Sequence, residues 1–151
     1  MEKRIQNDIM TAMREKDDIK LTALRAVKAS IMQTKTSPSF KGDRDSALPD
    51  SDVLKIIQKL VKEREDSAKI YIDANRQELA DKEIAEAVIL KTYLPKQLSI
   101  EEVTEIAKIV IDEIGATSIK DMGKVISVVN SRVSGQSDGK TISGIVKNLL
   151  S

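Results

Sequence analysis

The chain has 151 residues, 40% apolar and 32% charged, and its bases and acids nearly cancel to a net charge of +1. It contains no cysteine and no histidine, which removes disulfide frameworks, thiol nucleophiles, Cys/His zinc sites and the commonest general base near neutral pH. Only Phe40, Tyr71 and Tyr93 are aromatic, so a core must come from Ile, Val, Leu, Met and Ala, which suits helix packed on helix.

The opening Met1-Glu2-Lys3-Arg4-Ile5 lacks the apolar core of a signal peptide. No apolar run approaches the roughly 18 residues of a membrane span. The expectation is a cytoplasmic protein without a membrane contact. Residues 2–15 place Ile5, Ile9, Ala12 and Met13 at helical spacing. Asp17 or Asp18 is placed to cap a second helix reaching about residue 35, with Leu21, Leu24, Val27, the stem of Lys28 and Ile31 on its buried face. Lys20, Arg25, Lys28 and Lys35 make that helix basic. Two readings stay open for them: a solvated face, or a contact surface for an acidic partner.

Residues 36–50 hold Pro38, Gly42, Pro49 and alternating charges, and read as a long, mobile loop. Asp50 or Ser51 then starts the longest helix, to about Asn75, a residue able to take the left-handed conformation that ends a helix. Its stripe is Val53, Ile56, Ile57, Leu60, Arg64, Ser67 and Tyr71, with Leu54, Val61, Ala68 and Ile72 beside it. A stripe this wide touches two neighbours. A fourth helix, about 77–93, carries Ala80, Ile84, Ala87, Val88 and Leu90. The expected N-terminal unit, 1–94, is an antiparallel helical bundle.

Tyr93-Leu94-Pro95-Lys96-Gln97-Leu98-Ser99 forms a corner. Pro95 stops the incoming helix, and Ser99 three residues before Glu102 reads as the cap of the next one. Leu98 and Val103 are placed as a hydrophobic staple. Beyond the corner, Val103, Ile106, Ile109, Val110 and Ile114 mark a helix ending at Gly115. Ser118 to Asp121 opens another, with Met122, Val125, Ile126, Val129 and Val133 as its core face. Gly135 to Gly139 is a turn, and Ile142, Ile145, Val146 and Leu149 mark a last helix. The chain is thus all-α, with a small three-helix module over 95–151. So small a core is expected to be marginal and to lean on the N-terminal half or on a partner.

No catalytic centre, metal site or cofactor site is legible. Carboxylate metal sites on bundles pair Glu with a Glu-x-x-His motif, which this chain cannot form. Gly135-Gln136-Ser137-Asp138-Gly139-Lys140-Thr141 ends like a phosphate-binding loop, but it has three residues between its glycines where the motif needs four. What remains is a charge asymmetry. From Ala116 onward, Lys120, Lys124, Arg132, Lys140 and Lys147 face only Asp121 and Asp138, while 99–115 is acidic. Lys124 and Arg132 are close to two helical turns apart and can share a face. The glycine turn lets backbone N–H groups approach a phosphate, with the last helix's N-terminus behind it. With few aromatics, RNA binding through these residues would rest on shape and backbone contacts.

Taken in order, Tyr93-Leu94-Pro95-x-Gln97-Leu98-Ser99, the helix ending at Gly115, Met122-Gly123-Lys124-Val125 and Gly135-x-x-Asp138-Gly139 resemble the YqeY family. So do Leu24-Arg25-Ala26-Val27-Lys28-Ala29 and Lys62-Glu63-Arg64-x-x-Ser67-x-x-x-Tyr71 in the N-terminal half. These proteins are standalone relatives of the C-terminal region of the B subunit of glutamine-dependent tRNA amidotransferase. The resemblance implies a helical domain and a tail that helps hold mischarged tRNA. It links the chain to carbon–nitrogen ligation with glutamine as amide donor. The kinase and transamidase parts of that enzyme lie outside the matching region, so the chain is not expected to be an enzyme by itself. Gly123, Gly135 and Asp138-Gly139 match the tail's glycine and turn positions. Ser127 stands where a further glycine is expected, a departure that would tighten or shift helix contacts. Two functions stay open: a tRNA-binding accessory module, or a helical module docking on an amidotransferase, a synthetase or another copy of itself without RNA contact. The oligomeric state is left open.

Overall fold

Seven α-helices and no strand make up the computed structural model, which describes residues 1–151. They are α1 (Glu2–Glu15), α2 (Asp18–Thr36), α3 (Asp50–Asp73), α4 (Gln77–Lys91), α5 (Ile100–Ile114), α6 (Met122–Arg132) and α7 (Gly139–Leu150), with a short 3-10 turn at Ile119–Asp121. The chain divides into two compact units, Met1–Leu94 and Pro95–Ser151.

Local chemistry sets several helix ends. The Asp17 carboxylate accepts from the Lys20 N–H and caps α2. The Ser99 hydroxyl accepts from the Glu102 N–H at 3.1 Å and caps α5. Asn75, just past α3, and Gly115, just past α5, take positive φ, which turns the chain out of the helix. Two starts differ from expectation. Pro49 stands at the cap of α3, with no side-chain bond from Asp50 or Ser51; Asp50 is already helical. Ser118 makes no cap bond, and Asp121 instead accepts from the Thr117 N–H.

In the N-terminal unit, α1 and α2 form one antiparallel hairpin and α3 and α4 another. The Lys35 ammonium meets Glu2 at 3.0 Å across the first. The Glu65–Lys91 pair ties the second at 2.5 Å. Ile5, Ile9, Leu24, Val27, Val53, Ile57 and Leu90 are shared in one core. The 37–49 loop is pinned rather than loose: Leu48 is buried in that core, Phe40 packs on it, and Glu2 accepts from the Leu48 N–H.

Several faces are rotated from the sequence reading. Met13, the Lys28 side chain, Ile72, Ile84 and Val88 are exposed, while Ala23 and Glu86 are buried. Helix α4 has little amphipathic contrast, so its small residues Ala80 and Ala87 face inward, where they let α3 approach, and its larger Ile84 and Val88 face out.

The C-terminal unit packs α5, α6 and α7 around Val103, Ala107, Val110, Val125, Val129, Ile142 and Val146. Leu98 packs against the same cluster as Val103, as the staple requires. Ile109 and Ile114 are exposed, and Ala107 takes the inward position instead.

Candidate nucleic-acid interface

The corner segment is bound to the glycine turn of its own unit. The Gln97 side-chain amide donates to the Gly135 carbonyl at 2.7 Å, and the Leu98 N–H donates to the Gln136 carbonyl at 2.9 Å. The Gln136 side chain returns a bond to the Lys96 carbonyl. Gly135 is buried at φ 77°, a conformation that suits glycine. These motif residues therefore brace the start of α5 against the α6–α7 connection.

Asp138 and Gly139 start α7. The Asp138 carboxylate accepts from the Thr141 N–H at 2.7 Å and caps the helix. This corrects the phosphate-cradle expectation for the turn. A carboxylate already lies where an anion would meet the helix N-terminus, and the buried Gly135 offers no open backbone. The phosphate-loop likeness also lacks its strand, because α6 precedes the turn.

Lys120, Lys124, Arg132, Lys140 and Lys147 are all exposed. Arg132 is ion-paired with Glu113 on α5, so its charge is partly spent within the fold. None of the four lysines is held in an ion pair. The unit as a whole carries seven basic and seven acidic side chains, and five of the acids lie on α5. These side chains leave the unit without net charge, and its acids are concentrated on α5. Ser127 is exposed on α6, so it does not tighten a helix contact as expected.

The feature that the sequence reading missed is Gly144. Lys140, Gly144 and Lys147 follow at i, i+4 and i+7 along α7, one stripe of the helix. Gly144 is exposed, and a Cβ placed on it would meet nothing within 4 Å. Gly123, beside Lys124, is equally open. A glycine inside a helix costs about 0.5–1 kcal/mol relative to alanine. Nothing packed around Gly144 offsets that cost. The signal was present in the sequence as a glycine between two lysines at helical spacing.

Two motif residues of the N-terminal unit, Arg64 and Tyr93, are held in contacts with other helices. Arg64 lies 3.6 Å from Glu86 across α3 and α4, and both side chains are largely buried. The Tyr93 hydroxyl donates to Asp8, and the Arg4 guanidinium lies 4.5 Å from the ring centroid. Burial, then the hydrogen bond to Asp8, raise the Tyr93 hydroxyl pKa above its ordinary value. No group of three or more His, Cys, Asp or Glu side chains is arranged to hold a metal ion. No helix is long and apolar enough to cross a membrane.

An all-helical chain with this corner and turn belongs to the YqeY family: the family profile described as Yqey-like protein matches residues 2–150. Among individual relatives, the chain is similar to proteins named altered inheritance of mitochondria protein 41, mitochondrial. That of Vanderwaltozyma polyspora is 31% identical over 60% of this chain and 46% of its own length. That of Lachancea thermotolerans is 30% identical over the same shares. That of Pyrenophora tritici-repentis is 31% identical over 85% of this chain and 71% of its own length. The chain thus spans less than half the length of the first two.

Proposed function

We propose that the protein is a tRNA-binding accessory module with no reaction of its own, related through its family to glutamine-dependent tRNA amidation. The binding face is formed by Lys120, Lys124, Lys140 and Lys147, with a smaller share for the paired Arg132. The observation that carries this reading is the open Lys140–Gly144–Lys147 stripe of α7. A glycine that weakens a helix and packs against nothing is explained if another backbone approaches there. Two unpaired lysines on either side would neutralise phosphates of that backbone.

The test is a tRNA gel shift across a salt series. The logarithm of affinity should fall with the logarithm of salt, by about 0.7–0.9 per phosphate contact. Lys140→Glu with Lys147→Glu should abolish the complex without changing the circular dichroism. Gly144→Ala should stabilise the fold by about 0.5–1 kcal/mol yet weaken tRNA binding severalfold. Absence of a tRNA complex at low salt would overturn the reading. So would a complex indifferent to both changes.

A further inference from the structure

The α1–α2 hairpin carries a groove unrelated to the lysine stripe of α7. It includes a cavity of about 290 Å³ lined by the buried Ile5 and Ile31 and by Lys3, Lys28 and Met32. The Glu2–Lys35 ion pair closes one end and fixes the two helices antiparallel. On α1, Lys3, Gln6, Met10 and Met13 follow at steps of three and four, one stripe of the helix. On α2, Leu21, Arg25, Lys28, Met32 and Lys35 do the same. Lys3 and Gln6 of the first stripe and Lys28, Met32 and Lys35 of the second line the cavity, and Met10 and Met13 continue the first stripe beyond it.

Met10, Met13 and Met32 are 51%, 54% and 57% exposed, a cost in water that three flexible thioethers on one face do not recover inside the fold. Their rim is of one sign. Lys3, Arg25 and Lys28 are exposed and in no ion pair. The acids of the hairpin lie elsewhere: Glu2 is taken by Lys35, Asp8 by Tyr93, and Asp17 and Asp18 sit at the hairpin tip. Helical spacing puts Glu15 on the flank of α1 that carries Asp8, away from the methionines.

We propose that this groove docks an acidic amphipathic helix of a partner protein. Its apolar side chains would lie over Met10, Met13 and Met32, and its carboxylates against Lys3, Arg25 and Lys28. Methionines adapt to varied apolar anchors, and the cationic rim selects the sign of the flanking residues. An RNA backbone would match the lysines but leave the three thioethers without a use.

The test uses the full chain and a fluorescent synthetic peptide of about 15 residues, with Leu at i, i+3, i+4 and i+7 and Glu elsewhere. Saturable, salt-weakened binding in the micromolar range is expected, with no binding of the same peptide carrying Lys for Glu. Lys28→Glu with Met32→Glu, both at exposed positions, should weaken binding at least tenfold. In the parent protein, the methyl signals of Met10, Met13 and Met32 should shift on peptide addition, and that of Met122 should not. The proposal is overturned if no saturation occurs up to about 1 mM peptide. It is equally overturned if phosphatidylserine vesicles or tRNA, and not the peptide, perturb those three methyl signals.

Discussion

Gly135 combines three demands that no other residue type meets together. It is buried, its φ is 77°, and its carbonyl receives the Gln97 side chain. A Cβ in the left-handed region costs roughly 1–2 kcal/mol. Removing the Gln97 amide leaves the carbonyl short of a donor, which costs about 1–3 kcal/mol. Gly135→Ala and Gln97→Ala should therefore each lower stability by about 1–2 kcal/mol in urea unfolding. Their effects should not add fully, since both act on one bond. Full additivity would show that the contact between the corner and the turn is not what makes these residues matter. The sequence placed Gln97 and Gly135 in separate motifs, 38 positions apart. Neither periodicity nor capping rules reach across that distance, so their meeting was not legible. The Arg132–Glu113 pair escaped for the same reason: exposure of a charge can be read from sequence, but a partner on another helix cannot.

At the scale of helices, ends were more legible than faces. A cap is decided within about four residues, and Asp17, Asn75, Ser99 and Gly115 act as local chemistry dictates. A buried face is decided by what the helix meets. On α4 the apolar pattern named Ala80, Ile84, Ala87, Val88 and Leu90; Ala80, Ala87 and Leu90 do face inward, but Ile84 and Val88 face out and Glu86 is buried instead. The missing information was the Arg64 guanidinium on α3, which needs an acid opposite and draws Glu86 inward. This pair gives the element-scale prediction. Breaking it strands a buried charge, so Glu86→Ala should cost about 3 kcal/mol of unfolding free energy. The double change Arg64→Leu with Glu86→Leu should recover most of that, because it leaves neither charge to desolvate. A Glu86→Ala protein within about 0.5 kcal/mol of the parent would show that water already solvates Arg64.

Over the whole molecule, the apolar interior is divided into two clusters of unequal size. The N-terminal cluster has fourteen buried residues, including Leu24, Ile57, Leu90 and Tyr93, and the C-terminal one has eight, all Val, Ala or Ile. Each large side chain buried is worth about 1.5–3 kcal/mol, so the smaller cluster, with shorter side chains, resists opening less. Local opening free energies in a protein range from near zero up to the global value. Native-state hydrogen exchange should therefore show the amides of Val110, Val129 and Val146 exchanging together, at a lower free energy than those of Leu24, Ile57 and Leu90. The denaturant dependence of the first group should be shallower, because opening one small core exposes less surface than unfolding the chain. Equal free energies and equal slopes for both groups would mean that the two cores open as one. The division also bears on binding: if tRNA rests on α6 and α7, adding it should raise protection of the C-terminal amides most, by holding closed the cluster that opens first.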